Sequence, residues 1–190
     1  MRGIAEEVVD PKYAHVERER RFLIDPRRRP SLDDAPCTSI EDRYIVGSRL
    51  RLRRMTNVAS GRIVMKLTKK YDVPDVLARP MATAYLDRAE YELLLTLPAR
   101  CIDKRRSRIA VAGQTFAVDV FDGDLAGLET AEIEQGDAAA LADVAVPDWA
   151  LLEVSHDPRF QGGHLAMLTR TTLLALLTDV RDLAFRDGRG

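Results

Sequence analysis

Glu17 and Glu19, Glu90 and Glu92, and Glu132 and Glu134 form three acid pairs, each two residues apart. Bases repeat with the same step or twice it: Arg49, Arg51 and Arg53; Lys66 and Lys70; Lys104, Arg106 and Arg108. Residues i, i+2 and i+4 of a strand point to one face, so each segment presents a charged row. Paired carboxylates suit a hard divalent cation, and arginine forks suit phosphoryl oxygens. The chemistry implied is the holding of a polyanion together with its metal ions.

The elements that must position these residues follow from the same pattern. Strand signals run at about 15–24, 43–54, 61–71, 86–97, 101–111, 114–121 and 127–135, after a leader over 1–14. Turn residues separate them, and Ala112-Gly113-Gln114 predicts a hairpin. Short helices are predicted over Pro74 to Tyr85 and Ala138 to Val144. A longer one is predicted from His164 to Phe185, where Leu165, Leu168, Leu173, Leu176 and Leu177 recur near the helical period. No linker divides the 190 residues, so one α+β domain is expected, mainly antiparallel β.

Composition narrows the classes. Hydrophobic residues make up 46% and charged residues 31%, a globular mixture, and the net charge of −1 provides no field for nucleic acid or anionic membranes. Cys37 and Cys101 offer neither a disulfide framework nor a zinc site. No signal peptide or membrane-length apolar run is read, and a cytoplasmic location is expected. There is no Walker-type phosphate loop, and His15, His156 and His164 lack metal-ligand spacing.

Between the charged positions lie apolar ones, Leu50 and Leu52, Ile63, Met65 and Leu67, Tyr91, Leu93 and Leu95, Val118 and Val120, Ala131 and Ile133, with Arg18, Arg20, Asp103 and Arg105 as exceptions on the first and fifth strands. The sheet therefore has an apolar face and a charged one. An ordinary sheet would turn the charged face to water. Seven strands with this habit favour a barrel with the charged face inward, because exposed ion pairs gain only ~0–1 kcal/mol each. On that face ten bases oppose seven acids, Glu17, Glu19, Glu90, Glu92, Asp119, Glu132 and Glu134, and metal cations would widen the excess. An anionic ligand would balance it.

In this order, the segments resemble those of the CYTH family, the triphosphate tunnel metalloenzymes. Val16 to Ile24, VERERRFLI, resembles the opening ExExK strand, with Arg21 at the lysine position. Arg49-Leu-Arg51-Leu-Arg53, Leu67-Thr-Lys-Lys70, Arg88-x-Glu90-x-Glu92, Lys104-x-Arg106, Asp119-x-Phe121-x-Gly123 and Glu132-x-Glu134 follow, then Ser155 to Gly162. The resemblance implies an eight-stranded closed tunnel with a polar lumen and flanking helices, binding a triphosphate with Mg²⁺ or Mn²⁺. It further implies metal ligation by Glu17, Glu19, Glu132 and Glu134, and catalytic roles for Glu19, Glu90, Glu92 and Asp119. Phosphate binding falls to Arg21, Arg51, Arg53, Lys66, Lys70, Arg88, Lys104 and Arg106.

The activity implied is hydrolysis of tripolyphosphate, thiamine triphosphate or a nucleoside triphosphate, with room for a homodimer. Two alternatives stand beside it. One is an adenylate cyclase of the same fold, against which the 6% aromatic content counts. The other is a non-catalytic polyphosphate-binding module, which would not need the acid pairs.

Overall fold

A computed structural model describes residues 13–71 and 73–186, with side chains through Arg181. The first twelve residues of the expected leader lie outside the described residues. Among the described residues nine strands form in chain order: β1 His15–Ile24, β2 Cys37–Ile45, β3 Leu50–Asn57, β4 Ile63–Lys70, β5 Ala78–Leu86, β6 Ala99–Val111, β7 Gln114–Phe121, β8 Glu129–Glu134 and β9 Ala150–Glu153. Every pairing is antiparallel, in the order β5-β4-β3-β2-β6-β7-β8-β1, and β1 returns to β5 to close an eight-stranded barrel. β9 stands outside, paired to the far half of β1 at Phe22–Ile24.

The β6–β7 hairpin turns on Ala112 and Gly113, both at positive φ (50° and 78°), the geometry of a tight two-residue connection. The strand expected at 43–54 is two strands, β2 and β3, broken where Gly47 takes φ 74°.

The larger correction concerns residues 74–97. The predicted helix there is strand β5, and the predicted strand at 86–97 is helix α1, Arg88–Leu94. Asp87 accepts from the Glu90 amide while the Glu90 carboxylate accepts from the Asp87 amide, a reciprocal capping box that starts a helix. In β5 the ladder to β4 overrides the weak strand preference of Ala and Met. Helix α2 spans Ala138–Ala142. The long helix predicted from His164 is divided into α3, Gly162–Leu165, and α4, Arg170–Arg186, where Thr169 and Thr172 exchange side-chain-to-amide bonds.

Two apolar clusters hold the barrel. Outside it, Phe22, Phe116, Val118, Ala131 and Ile133 pack under Val144 and Trp149, with Phe116 edge-on to both Phe22 and Trp149. The second cluster joins Leu23, Ile102 and Phe121 to Phe160, Leu165 and the α4 face of Leu173, Leu176, Leu177 and Val180. Leu23, Ile102 and Phe121 share the parity of Glu19, Lys104 and Asp119 on their strands, so this cluster forms an apolar floor at one end of the lumen. None of the helices among the described residues is long and apolar enough to cross a membrane.

Candidate active site

Strand register brings the charged rows to one cavity of about 590 Å³ inside the barrel. Its wall includes Glu17, Glu19 and Arg21 from β1, Arg51 and Arg53 from β3, Lys66 and Lys70 from β4, Lys104 and Arg106 from β6, and Glu132 and Glu134 from β8. Asp119 of β7 lies behind this wall, fully buried. Twelve of the fifteen residues expected at the site therefore share one interior. The other three do not: Arg88, Glu90 and Glu92 are exposed on α1, and Glu90 is spent on the helix cap. Their two-residue spacing meant a strand in sequence and a helix turn in the fold.

The acids and bases interlock. Glu132 accepts from Arg21 Nε at 2.9 Å and from Arg106 Nη2 at 2.5 Å. Arg21 also donates to Glu19 at 2.9 Å and to the Phe160 carbonyl at 2.8 Å, so its fork ties β1, β8 and the floor together. Asp119 accepts from Lys104 at 2.5 Å and from both Nε and Nη2 of Arg106 at 2.6 Å. Lys70 pairs with Glu17 and lies 3.7 Å from Glu19. Glu134 sits at the mouth, largely exposed, 3.8 Å from His15.

Charge states follow from these contacts. Burial by itself would raise the pKa of Glu132, but Arg106 and Arg21 hold it well below the usual carboxylate range. The same contest keeps Asp119 low, through Arg106 and Lys104. Glu19 goes the other way, pushed up by burial and by the neighbouring Glu132. Lys66 is brought down to about 8 by burial and by Arg53 and Arg51. Lys66 has no carboxylate partner among the described residues, and the Nε of Arg51 is buried without a hydrogen bond there.

Several lining residues were not read from sequence. Asp42 and Tyr44 come from β2, the strand whose start was missed; Asp42 faces Arg53, and Tyr44 bonds Arg51. Arg79 of β5 bonds Gln161. Ser155 accepts from the Arg21 amide at 2.9 Å. Gly162 packs so tightly on the Tyr44 ring that an added Cβ would lie 1.8 Å from the hydroxyl. The segment Ser155 to Gly162 thus borders the floor.

The donor set on β1 and β8 has the chemistry of a site for a hard cation: only carboxylate oxygens, with Glu132 close enough to oppose ionisation of both Glu17 and Glu19. No three such ligands are gathered into a cage among the described residues, because Lys70, Arg21 and Arg106 hold the carboxylates. A cation binding there would displace these bases from the acids.

No protein-family model matches the sequence, and no curated protein matches it at a significant level. Solved structures do. Two structures of NE1496, one described as a hypothetical protein and the other as an inorganic triphosphatase, are 24% identical to this chain. They cover 80% of it and 99% and 95% of their own chains, with TM-scores of 0.56 and 0.54. PH1819 from Pyrococcus horikoshii is 17% identical over 67% of this chain and 82% of its own; its TM-score of 0.49 is too low to carry weight. Similarity at these levels establishes architecture. The chain has a closed antiparallel tunnel fold, and that fold is CYTH-like.

Proposed function

We propose that the chain is a divalent-metal-dependent phosphohydrolase of small triphosphates, inorganic or organic. The observation that carries this reading is the division of the lumen. Glu17, Glu19 and Glu132 cluster on β1 and β8, while on β3 and β4 Arg51 keeps a buried Nε without a hydrogen bond, 3.7 Å from Asp42, and Lys66 makes no ion pair among the described residues. A non-catalytic anion receptor would have no use for the acid wall.

Glu17, Glu19 and Glu132, with Glu134 at the mouth, would hold Mg²⁺ or Mn²⁺. Such a cation neutralises phosphoryl charge and acidifies a water molecule when bound. Arg51, Arg53 and Lys66 bind the phosphate chain, the arginines through forked N–H groups and the lysine as a point charge. Lys70 joins them once it leaves Glu17. Asp119 orients Lys104 and Arg106 toward the lumen, since all of its close bonds go to those two bases. The apolar floor keeps bulk water from the closed end, which strengthens each of these interactions. Water attacks the terminal phosphorus, the phosphoanhydride bond breaks, and phosphate and diphosphate leave.

Phosphate release from tripolyphosphate, thiamine triphosphate and ATP, each with Mg²⁺ or Mn²⁺, tests the proposal, with cyclic AMP followed in parallel. Glu19→Gln and Glu134→Ala should abolish turnover more than binding, whereas Arg53→Ala should chiefly raise KM. Absence of phosphate release from all three substrates with both metals would overturn the assignment.

A further inference from the structure

Asp42 stands apart from the acid wall. It projects from β2 into the base-rich side of the lumen and is 1% exposed. It sits opposite Arg53 in the β2–β3 ladder. Oδ1 accepts from Arg53 Nε at 2.5 Å and Oδ2 from Nη2 at 2.6 Å, and Arg51 Nε lies 3.7 Å from Oδ1. Lys104 of β6 adds a further attraction. The carboxylate therefore meets a base from each strand that flanks β2.

Two consequences follow. The bidentate pair fixes the plane of the Arg53 guanidinium and uses its Nε edge, leaving Nη1 as the wholly open end. It also cancels one positive charge on the wall where Arg51, Arg53 and Lys66 would otherwise stand together. A buried counter-charge in a phosphate-binding wall lowers affinity for every phosphate that enters, product included. Building one there makes sense if release has to be kept fast.

We propose that Asp42 is a positioning and affinity-limiting residue of the tunnel, holding Arg53 in one orientation and weakening the grip of the β2–β4 wall on inorganic phosphates so that product leaves. This rests on the triphosphatase reading above.

Asp42→Asn tests it, being nearly the same shape and able to keep one acceptor for Arg53. Calorimetric titration with diphosphate and tripolyphosphate in EDTA should show binding about tenfold tighter than wild type, the excess fading as salt is raised. With metal, KM and kcat should fall together, and the inhibition constant for diphosphate should fall with them. A structural prop would behave oppositely, its loss weakening binding. Weaker or unchanged diphosphate affinity in Asp42→Asn overturns the proposal.

If circular dichroism shows that this variant does not fold, Asp42→Ser supplies a smaller neutral acceptor with the same expected sign. The outcomes separate from the parent reading. A wild type that hydrolyses tripolyphosphate beside a variant that binds diphosphate no better sinks the role of Asp42 alone. A wild type that neither binds nor hydrolyses tripolyphosphate sinks both.

Discussion

Glu132→Gln removes the carboxylate at the centre of the interlocked wall, and the contacts set the size of the effect. Glu132 accepts charge-assisted bonds from Arg21 and Arg106, and all three side chains are less than a fifth exposed. Breaking a buried pair costs ~3–5 kcal/mol when it strands a charge. Here neither base is stranded: Arg21 keeps Glu19 at 2.9 Å, and Arg106 keeps Asp119 at 2.6 Å. Glutamine also retains one acceptor. The expected loss is therefore smaller, about 1–2 kcal/mol in urea unfolding at pH 7.

The dependence on pH has a definite sign. The folded-state pKa of Glu132 is depressed, so its contribution is present above the unfolded carboxylate value and disappears as pH falls through the folded one. The gap between wild type and variant should be full at pH 7 and shrink in acid. The same variant should bind Mn²⁺ alone at least about tenfold more weakly by calorimetry, since one of three clustered oxygen donors is gone. Equal urea midpoints at pH 7, or a gap that widens on acidification, would refute the account of this wall.

Three further outcomes can be checked with the same preparations. Gly162→Ala drives a methyl group into Tyr44, so the ring must leave Arg51; unfolding free energy should drop by ~1–3 kcal/mol and KM should rise. Arg88→Ala and Glu92→Ala on exposed α1 should leave kcat and KM unchanged, whereas Glu90→Ala should cost about 1 kcal/mol in urea through loss of the cap and nothing in turnover. Tripolyphosphate affinity should fall as pH rises through about 8, where Lys66 loses its proton, and Lys66→Arg should remove that decline.

How legible the site was depended on whether its residues lay on strands with strict alternation. β1, β3, β4, β6 and β8 carry a charged row on the inner face, though Arg18, Arg20, Asp103 and Arg105 charge the outer face of β1 and β6 as well, and these strands bring Glu17, Arg53, Lys66, Lys104 and Glu132 to one interior. Arg88, Glu90 and Glu92 obey the same two-residue rule, yet the Asp87-x-x-Glu90 capping box starts a helix there, a signal in the sequence that the charge alternation masks. Asp42 was overlooked because Glu41, Asp42 and Arg43 are three consecutive charges with no visible period. Only the ladder to β3 shows that the middle one faces inward. The split of the C-terminal helix at Thr169 escaped because its leucines keep the helical period across the break.

β1 shows why the densest part of the site coincides with an irregularity that alternation cannot encode. Its outer edge pairs with β5 at His15–Arg18 and with β9 at Phe22–Ile24, so the strand changes partner across Glu19, Arg20 and Arg21. Backbone bonds there come from elsewhere: the Glu19 amide donates to the Leu77 carbonyl at 3.1 Å, and the Arg21 carbonyl accepts from the Val154 amide at 2.8 Å. The Arg21 amide goes to the Ser155 hydroxyl, and Arg20 reaches outward to Glu153 and the Val144 carbonyl. An arginine at position 21 can span this fork because its three nitrogens serve Glu132, Glu19 and the Phe160 carbonyl at once. A lysine has one nitrogen and could not make that planar set. Arg21→Lys should accordingly loosen the seam between barrel and floor. The direct check is faster hydrogen exchange at the Val154 and Leu165 amides, and protection there equal to wild type would show that the fork does not bind the two together.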